Sequence, residues 1–277
     1  MRGLATMAVE AATGEGQGAA ARALRRVLSV RWVLYVAGPI TMLGAWQYAS
    51  DAFATKQLFP GPSETFRAFA RLVASKQLAL DTLASLRRIG LGFAIGSISG
   101  FLVGLTAGYV PLVRHLLYPY IHFLRFISAI AWLSMALLWF GTGETGKVAL
   151  ITYTTTFVVM VNVMAGVASI PVNRLRSARC FGATEWQIFA QVVLPSTLGY
   201  FFDGARLAMA NSFATVVTAE MLAAQSGLGY LILVSRQWLA VDEIFVGIIV
   251  LGILGWLTDR VLVSLTDNRF RRHRLRS

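Results

Sequence analysis

A single cysteine, Cys180, stands in a chain of 277 residues. No intrachain disulfide can form, and no cysteine cluster can hold a metal. Histidine is nearly as scarce: His115, His122 and His273 are scattered, without the His-Glu-x-x-His spacing of a zinc protease. No Gly-x-Ser-x-Gly elbow offers a nucleophile. Charge is thin as well, at 14% of residues, against roughly a quarter in soluble proteins. One stretch, Gly141-Thr142-Gly143-Glu144-Thr145-Gly146-Lys147-Val148, comes close to a nucleotide-binding loop. It fails at Val148, where a Ser or Thr must reach magnesium, and it follows an apolar run instead of a strand. These gaps argue against an enzyme, and the chain is expected to bind no cofactor or metal of its own.

What the sequence does have is apolar length. The hydrophobic fraction is 56% and the mean hydropathy +0.64. A helix crossing a bilayer needs about 20 apolar residues. Hydrocarbon offers no water to backbone groups, so spanning segments must be helices or closed barrels. The runs are too long for barrel strands and do not alternate, so an all-α integral membrane protein is expected. Spans fall near 32–48, 89–109, 116–140, 148–167, 198–219 and 244–263. The net charge of +12 gathers beside these runs, where Lys and Arg fix orientation. It is read as topology and not as nucleic-acid binding. A glycine- and alanine-rich arm, 1–31, partly disordered, and a basic tail, 267–277, flank a transmembrane core at 32–266. Both ends are expected on the cytoplasmic side of a multi-pass membrane protein, with lipid as a partner. No signal-peptidase site follows the first apolar run, which is read as a retained span.

Between the first two spans, Pro60, Gly61 and Pro62 predict a turn. Ser63 is then placed to cap a short helix, with Phe66, Phe69, Ala70 and Val73 along one face. Further on, Gly96, Gly100, Gly104 and Gly108 repeat at every fourth position. That spacing lets helix backbones approach closely, and packing within the chain is favoured over a contact between copies. No internal repeat is visible, which weighs against a transporter built from inverted repeats.

The most informative stretch is Arg176-Ser177-Ala178-Arg179-Cys180-Phe181-Gly182, then nine residues, then Val192-Val193-Leu194-Pro195. Gly182 turns the chain cheaply between two short helices. Pro195 suits the start of the next span, where its missing N–H costs nothing. The result is a rigid knob over about 168–195. The spacing resembles the signature of ABC-importer permease subunits: Glu-Ala-Ala, three residues, Gly, nine residues, Ile, one residue, Leu-Pro. Arg176, Ser177 and Val192 depart from it. The pieces Pro60-Gly61-Pro62-Ser63, Ser85-Leu86-Arg87-Arg88-Ile89, Leu138-Trp139-Phe140-Gly141, Ala219-Glu220-Met221 and Gly227-Leu228-Gly229-Tyr230 resemble the branch importing nitrate, sulfonates and taurine. That branch usually has prolines around 126–134, and this chain has none there.

The resemblance implies a type I ABC-importer transmembrane fold. It implies a homodimer of permeases, two ATPase subunits carrying ATP and magnesium, and an extracytoplasmic solute-binding protein. Arg176, Ser177, Ala178, Gly182, Ala183, Leu194 and Pro195 would form the ATPase-coupling loop. The candidate pathway or gate residues are Arg125, Ser128, Trp132 and Glu220. An intramembrane arginine is costly and usually faces a watery cavity or a partner. For Arg125, lining the path, snorkelling and pairing with Glu220 or Asp203 all stay open. Arg206, in Gly204-Ala205-Arg206, is expected to be structural. The expected function is permeation of a small solute, an oxyanion such as nitrate, a sulfonate or taurine. The same machinery for a neutral or aromatic nutrient and a stand-alone channel or secondary transporter are the alternatives.

Overall fold

The structure is a computed structural model that describes residues 37–52 and 58–274, with side chains through Ser264. The expected arm at 1–31 and the start of the first expected span, 32–36, lie outside the described residues. All regular structure among the described residues is helical. The chain divides into two compact units between Glu64 and Thr65.

In the first unit, helix α1 covers 37–52. The turn after it folds back along the same helix. Trp46 Nε1 donates to the Pro60 carbonyl at 3.1 Å, and Ser50 Oγ donates to that of Phe59 at 2.8 Å. Helix α2, Pro62–Ala74, starts two residues earlier than a cap at Ser63 would place it, and from Thr65 onward it belongs to the second unit. Ser63 therefore lies inside the helix and does not cap it. Pro62 takes the first helical position, where a fixed φ and absent N–H are an advantage, and Glu64 accepts the Gly61 N–H at 3.2 Å. The face expected to lie on the membrane surface or against neighbours, Phe66, Phe69, Ala70 and Val73, is not the one that is buried. Thr65, Ala68 and Leu72 are buried, while Phe66, Phe69 and Val73 are exposed. Small Ala68, 0% exposed, permits the close approach, packing with Leu72, Leu78, Leu228, Leu231 and Val246.

The second unit is built on α3 (Gln77–Tyr109), α6 (Glu144–Ala168) and α9 (Leu194–Ala223). The glycine ladder of α3 faces α6, as the small-residue spacing required. A Cβ added at Gly96 would lie 2.6 Å from Thr155 Cβ, at Gly100 2.6 Å from the Thr156 carbonyl, and at Gly104 2.7 Å from that of Met160. Contact is thus nearly backbone to backbone, the geometry such spacing serves in bilayers. Gly204 of α9 meets Asn162 of α6 in the same way, with 2.7 Å to Asn162 Cβ. Buried hydroxyls bridge the pair, Thr155 Oγ1 to Ser212 Oγ at 3.0 Å.

Between α3 and α6 lie α4 (Pro111–Leu124) and α5 (Ala129–Phe140), bent from each other by 95°. The segment expected as a span at 116–140 is made of two helices that meet at this bend. No proline makes the break. Ser128 caps α5 by accepting the Ile130 N–H at 3.4 Å, and the Tyr153 hydroxyl donates to the Leu124 carbonyl at 2.6 Å. After α6 come α7 (Val172–Cys180), α8 (Glu185–Ile188) and a π turn, Phe189–Val193, that runs into α9. Helix α10 (Leu228–Gln237) follows α9 at 49°, and α11 runs Val241–Arg274 without a break at the expected tail boundary. Three helices, α3, α6 and 241–264 of α11, are long and apolar enough to cross a membrane, and up to five spans result if each bent pair counts as one. The sixth expected span is the first, which begins outside the described residues.

Candidate functional site

Three places bring chemistry-bearing residues together. The first is the connector between α6 and α9. Helix α7 buries none of its residues, so Arg176 and Ser177 are exposed. Ala178 and Ala183 are half-buried against a core of Ile188, Val193, Leu105, Val159 and Val163. Between them Gly182 adopts φ +78°, a conformation cheap only for glycine, and the Ala183 N–H returns to the Ala178 carbonyl at 3.1 Å. Thr184 and Gln187 form a reciprocal capping box, at 3.3 and 2.8 Å, that starts α8. Leu194 opens α9, with Pro195 in its first turn. Glu185, which sequence reasoning did not single out, ties the two halves together. It accepts from Arg179 Nε at 2.9 Å and from the hydroxyl of Tyr109, the last residue of α3, at 2.8 Å. The bound carboxylate holds the Arg179 guanidinium above its ordinary pKa. On the outside, Phe181 and Trp186 are 90% and 73% exposed. The connector is thus a stiff element anchored inward by aliphatic side chains and presenting two aromatic rings outward.

The second place is a cavity of about 570 Å³ between the α4–α5 bend, α6 and α9. Arg125 and Ser128 line it, as does Asn162; Trp132 and Glu220 do not. Much of the wall is apolar, with Tyr153, Asn162, Asn211 and Thr215 supplying hydroxyls and amides. No acidic residue lines it, and Arg125 is its one charge. Arg125 lies over the Phe126 ring at 4.8 Å, and among the described residues no carboxylate pairs with it. Trp132 sits just behind the wall, half-buried, its ring 6.1 Å from that of Tyr153 and its Nε1 buried without an acceptor. Arg206 pairs with Asp259 of α11, Nη2 to Oδ2 at 2.8 Å.

The third place was not foreseen as a unit. Glu220, 0% exposed, meets Arg88 and Ser85 of α3 inside the protein. Arg88 Nη1 donates to Glu220 Oε1 at 2.6 Å and to the Ser226 carbonyl at 2.7 Å. Its Nε and Nη2 grip both oxygens of Glu144 at 2.6 and 2.8 Å, and Lys147 joins Glu144 at 3.1 Å. Three backbone N–H groups opening α10 are also taken up. Gly227 donates to Asp81, Leu228 to Ser85 and Gly229 to Glu220, at 2.8, 2.9 and 2.9 Å. Gly227 has φ +119°, and a Cβ there would lie 2.4 Å from the Glu220 carboxyl carbon. Three motifs that sequence reading left separate, around Arg88, Glu220 and Gly227, therefore converge on one buried network. Glu220 is spoken for by Arg88 and is unavailable to Arg125. A signal was present: the glycine ladder of α3, continued backward from Gly92 by helical steps, lands on Arg88, Ser85 and Asp81.

Comparison with known proteins agrees with this architecture. The family described as "Binding-protein-dependent transport system inner membrane component" matches residues 96–274. A probable ABC transporter permease protein of Brucella melitensis is 33% identical over 220 residues, covering 79% of this chain and 89% of that protein. The taurine transport system permease protein of Escherichia coli is 31% identical over 225 residues, covering 79% and 82%. Among solved structures, a bacterial ABC transporter involved in import of the acidic polysaccharide alginate has the same fold. Its TM-score is 0.59 at 18% identity, covering 88% of this chain and 93% of that one. With the sequence match and the helical architecture in agreement, the chain belongs to the binding-protein-dependent transport system inner membrane components, the permease subunits of ABC importers, and is a transporter subunit and not itself an enzyme.

Proposed function

We propose that two copies of this chain form the translocation pathway of an ATP-driven importer whose solute is a small anion: an oxyanion such as nitrate, a sulfonate or taurine. Two ATPase subunits would bind ATP and magnesium and dock on the connector at 168–195, and an extracytoplasmic binding protein would deliver the solute. Both termini would lie in the cytoplasm, putting the connector on that side and the Arg88 network on the other.

The observation that carries the anion reading is Arg125, exposed, without a carboxylate partner among the described residues, and the one charge in a cavity without acids. The taurine permease among the relatives points the same way. The coupling reading draws on the exposed rings of Phe181 and Trp186 set on the braced connector. An uncharged aromatic nutrient is the second reading, favoured by Phe126, Tyr153 and Phe157 in the cavity wall.

The test begins with purification of the tagged chain in mild detergent from its native host, with mass spectrometry of what accompanies it. A nucleotide-binding ATPase in near one-to-one ratio is the expected result. Uptake of labelled taurine, nitrate and an uncharged aromatic amine into vesicles then ranks the solutes. Uptake without ATP from an ATPase-free preparation would overturn the importer reading for this chain.

A further inference from the structure

At the end of α6 and α9 remote from the connector, two kinds of attachment stand side by side. The Arg88 network joins α3, the first turn of α6, the last turn of α9 and the start of α10. At its heart, Arg88 and Glu220 have side chains 3% and 0% exposed. Every N–H direction of the guanidinium that the structure uses is directed at Glu220, Glu144 or Ser226. To part α9 from α3 here would strand a buried cation and a buried anion with no water to replace their partners. Helix α5 is attached differently. Among the described residues, no side chain of 129–140 makes a hydrogen bond or ion pair to another helix; Trp132 even keeps its buried Nε1 without an acceptor. It is held by packing alone, chiefly Leu133 and Ala136 against Leu150 and Ala219. At one end of it lies a sharp bend, held on the α4 side where Tyr153 of α6 donates to the Leu124 and Ile127 carbonyls, and at the other Gly141, with φ +67° and open space around its Cβ direction. It also contributes Ala129, Ile130 and Leu133 to the cavity wall.

We propose that the ends of α3, α6, α9 and α10 gathered by Arg88 form one ion-pinned body that stays together through the transport cycle, and that α5, swinging between its bend and Gly141, is the element that opens and closes the cavity at that end. Glu220 is then a positioning residue that keeps the fixed body fixed. It touches neither solute nor gate. The reasoning is energetic: an apolar helix without polar ties of its own can be displaced by exchanging one apolar surface for another, whereas the network cannot open without leaving charges uncompensated. The inference rests on the reading that ATPase subunits cycle this chain.

Spin-label distances in the assembled transporter test it. Cys180→Ser removes the one native thiol. Leu83→Cys on α3 and Leu222→Cys on α9 are exposed reporters of the pinned body, at 65% and 63%, and Leu138→Cys reports on α5 at 76%. Labelled chains are diluted into unlabelled ones, so each distance is within one copy, and measured without nucleotide and trapped with ATP and vanadate. The 83–222 distance is expected to hold within about 2 Å, the scale of packed-helix shear, while 83–138 shifts by more. A shift in 83–222 equal to or larger than that in 83–138 overturns the proposal. So does the absence of any shift in a preparation that takes up solute with ATP. No uptake and no shift together overturn the cycling reading itself, and the proposal with it.

Discussion

Arg88 and Glu220 are 132 residues apart in sequence and meet as a buried ion pair, Nη1 to Oε1 at 2.6 Å. The pair is closed off from water, so its worth is asymmetric. With both partners present the charges satisfy each other; with one gone, the survivor is stranded.

Arg88→Met and Glu220→Leu are each expected to destabilise the protein by about 3–5 kcal/mol, the usual cost of removing one partner of a buried pair. The double variant should lose less than the two losses added, because neither charge is then left behind. Thermal unfolding of the purified protein in detergent reads all three. Strictly additive losses would show that the two side chains do not depend on each other.

The α3–α6 contact offers a second comparison. Gly100→Leu places a side chain where even a Cβ would be 2.6 Å from the Thr156 carbonyl, and overpacking of that kind costs about 1–3 kcal/mol. Gly90→Ala, on the same helix with nothing within 4 Å of the added atom, should be neutral or gain up to about 1 kcal/mol from helix propensity. Equal melting temperatures for the two variants would contradict the close approach.

On the connector, Trp186→Ser and Phe181→Ser alter rings that are 73% and 90% exposed. The melting temperature should barely move. The amount of ATPase that co-purifies should drop severalfold, since exposed aromatics are the usual anchors of an interface. An undiminished ATPase yield from the double variant would remove these rings from the docking surface.

For the cavity, Arg125→Gln is expected to raise the KM for an anionic solute about tenfold, the value of one charge-assisted hydrogen bond lost. Stability should hold, because Arg125 is exposed and pairs with no acid. Arg125→Lys should recover part of the affinity. Uptake of an anion unaffected by Arg125→Gln would favour the uncharged-nutrient reading.

Much of this was legible in the order of residues, and the parts that were not have physical reasons. Gly96, Gly100 and Gly104 announced a close helix contact because lack of a side chain at a fixed period has one main use in a bilayer. Gly182, Leu194 and Pro195 fell where local backbone chemistry put them, so the connector could be drawn from spacing alone. The bend after Leu124 could not. It is fixed by the hydroxyl of Tyr153, which reaches the Leu124 and Ile127 carbonyls from the neighbouring helix, and no local breaker residue marks it. Arg87 and Arg88 look alike in sequence, yet Arg88 is 2% exposed and Arg87 faces outward; only the phase of the helix, set by the glycines downstream, tells them apart. In α2 the apolar face of Phe66, Phe69 and Val73 is left exposed, and the neighbouring face of Thr65, Ala68 and Leu72 is the buried one; periodicity marks an apolar face without saying what covers it.

The π turn at 189–193 sets the azimuth of the connector's exposed rings by counting. A π turn takes one residue more than α winding does, so the chain before it is indexed one step around the axis of α9. Deleting a single residue there would let the helix close normally and would swing Phe181 and Trp186 by about 100°. Both outward rings would survive such a deletion. The aim of the surface is therefore written in the number of residues between Gly182 and Leu194, and a length change in that short stretch would blind the knob more completely than most substitutions on it.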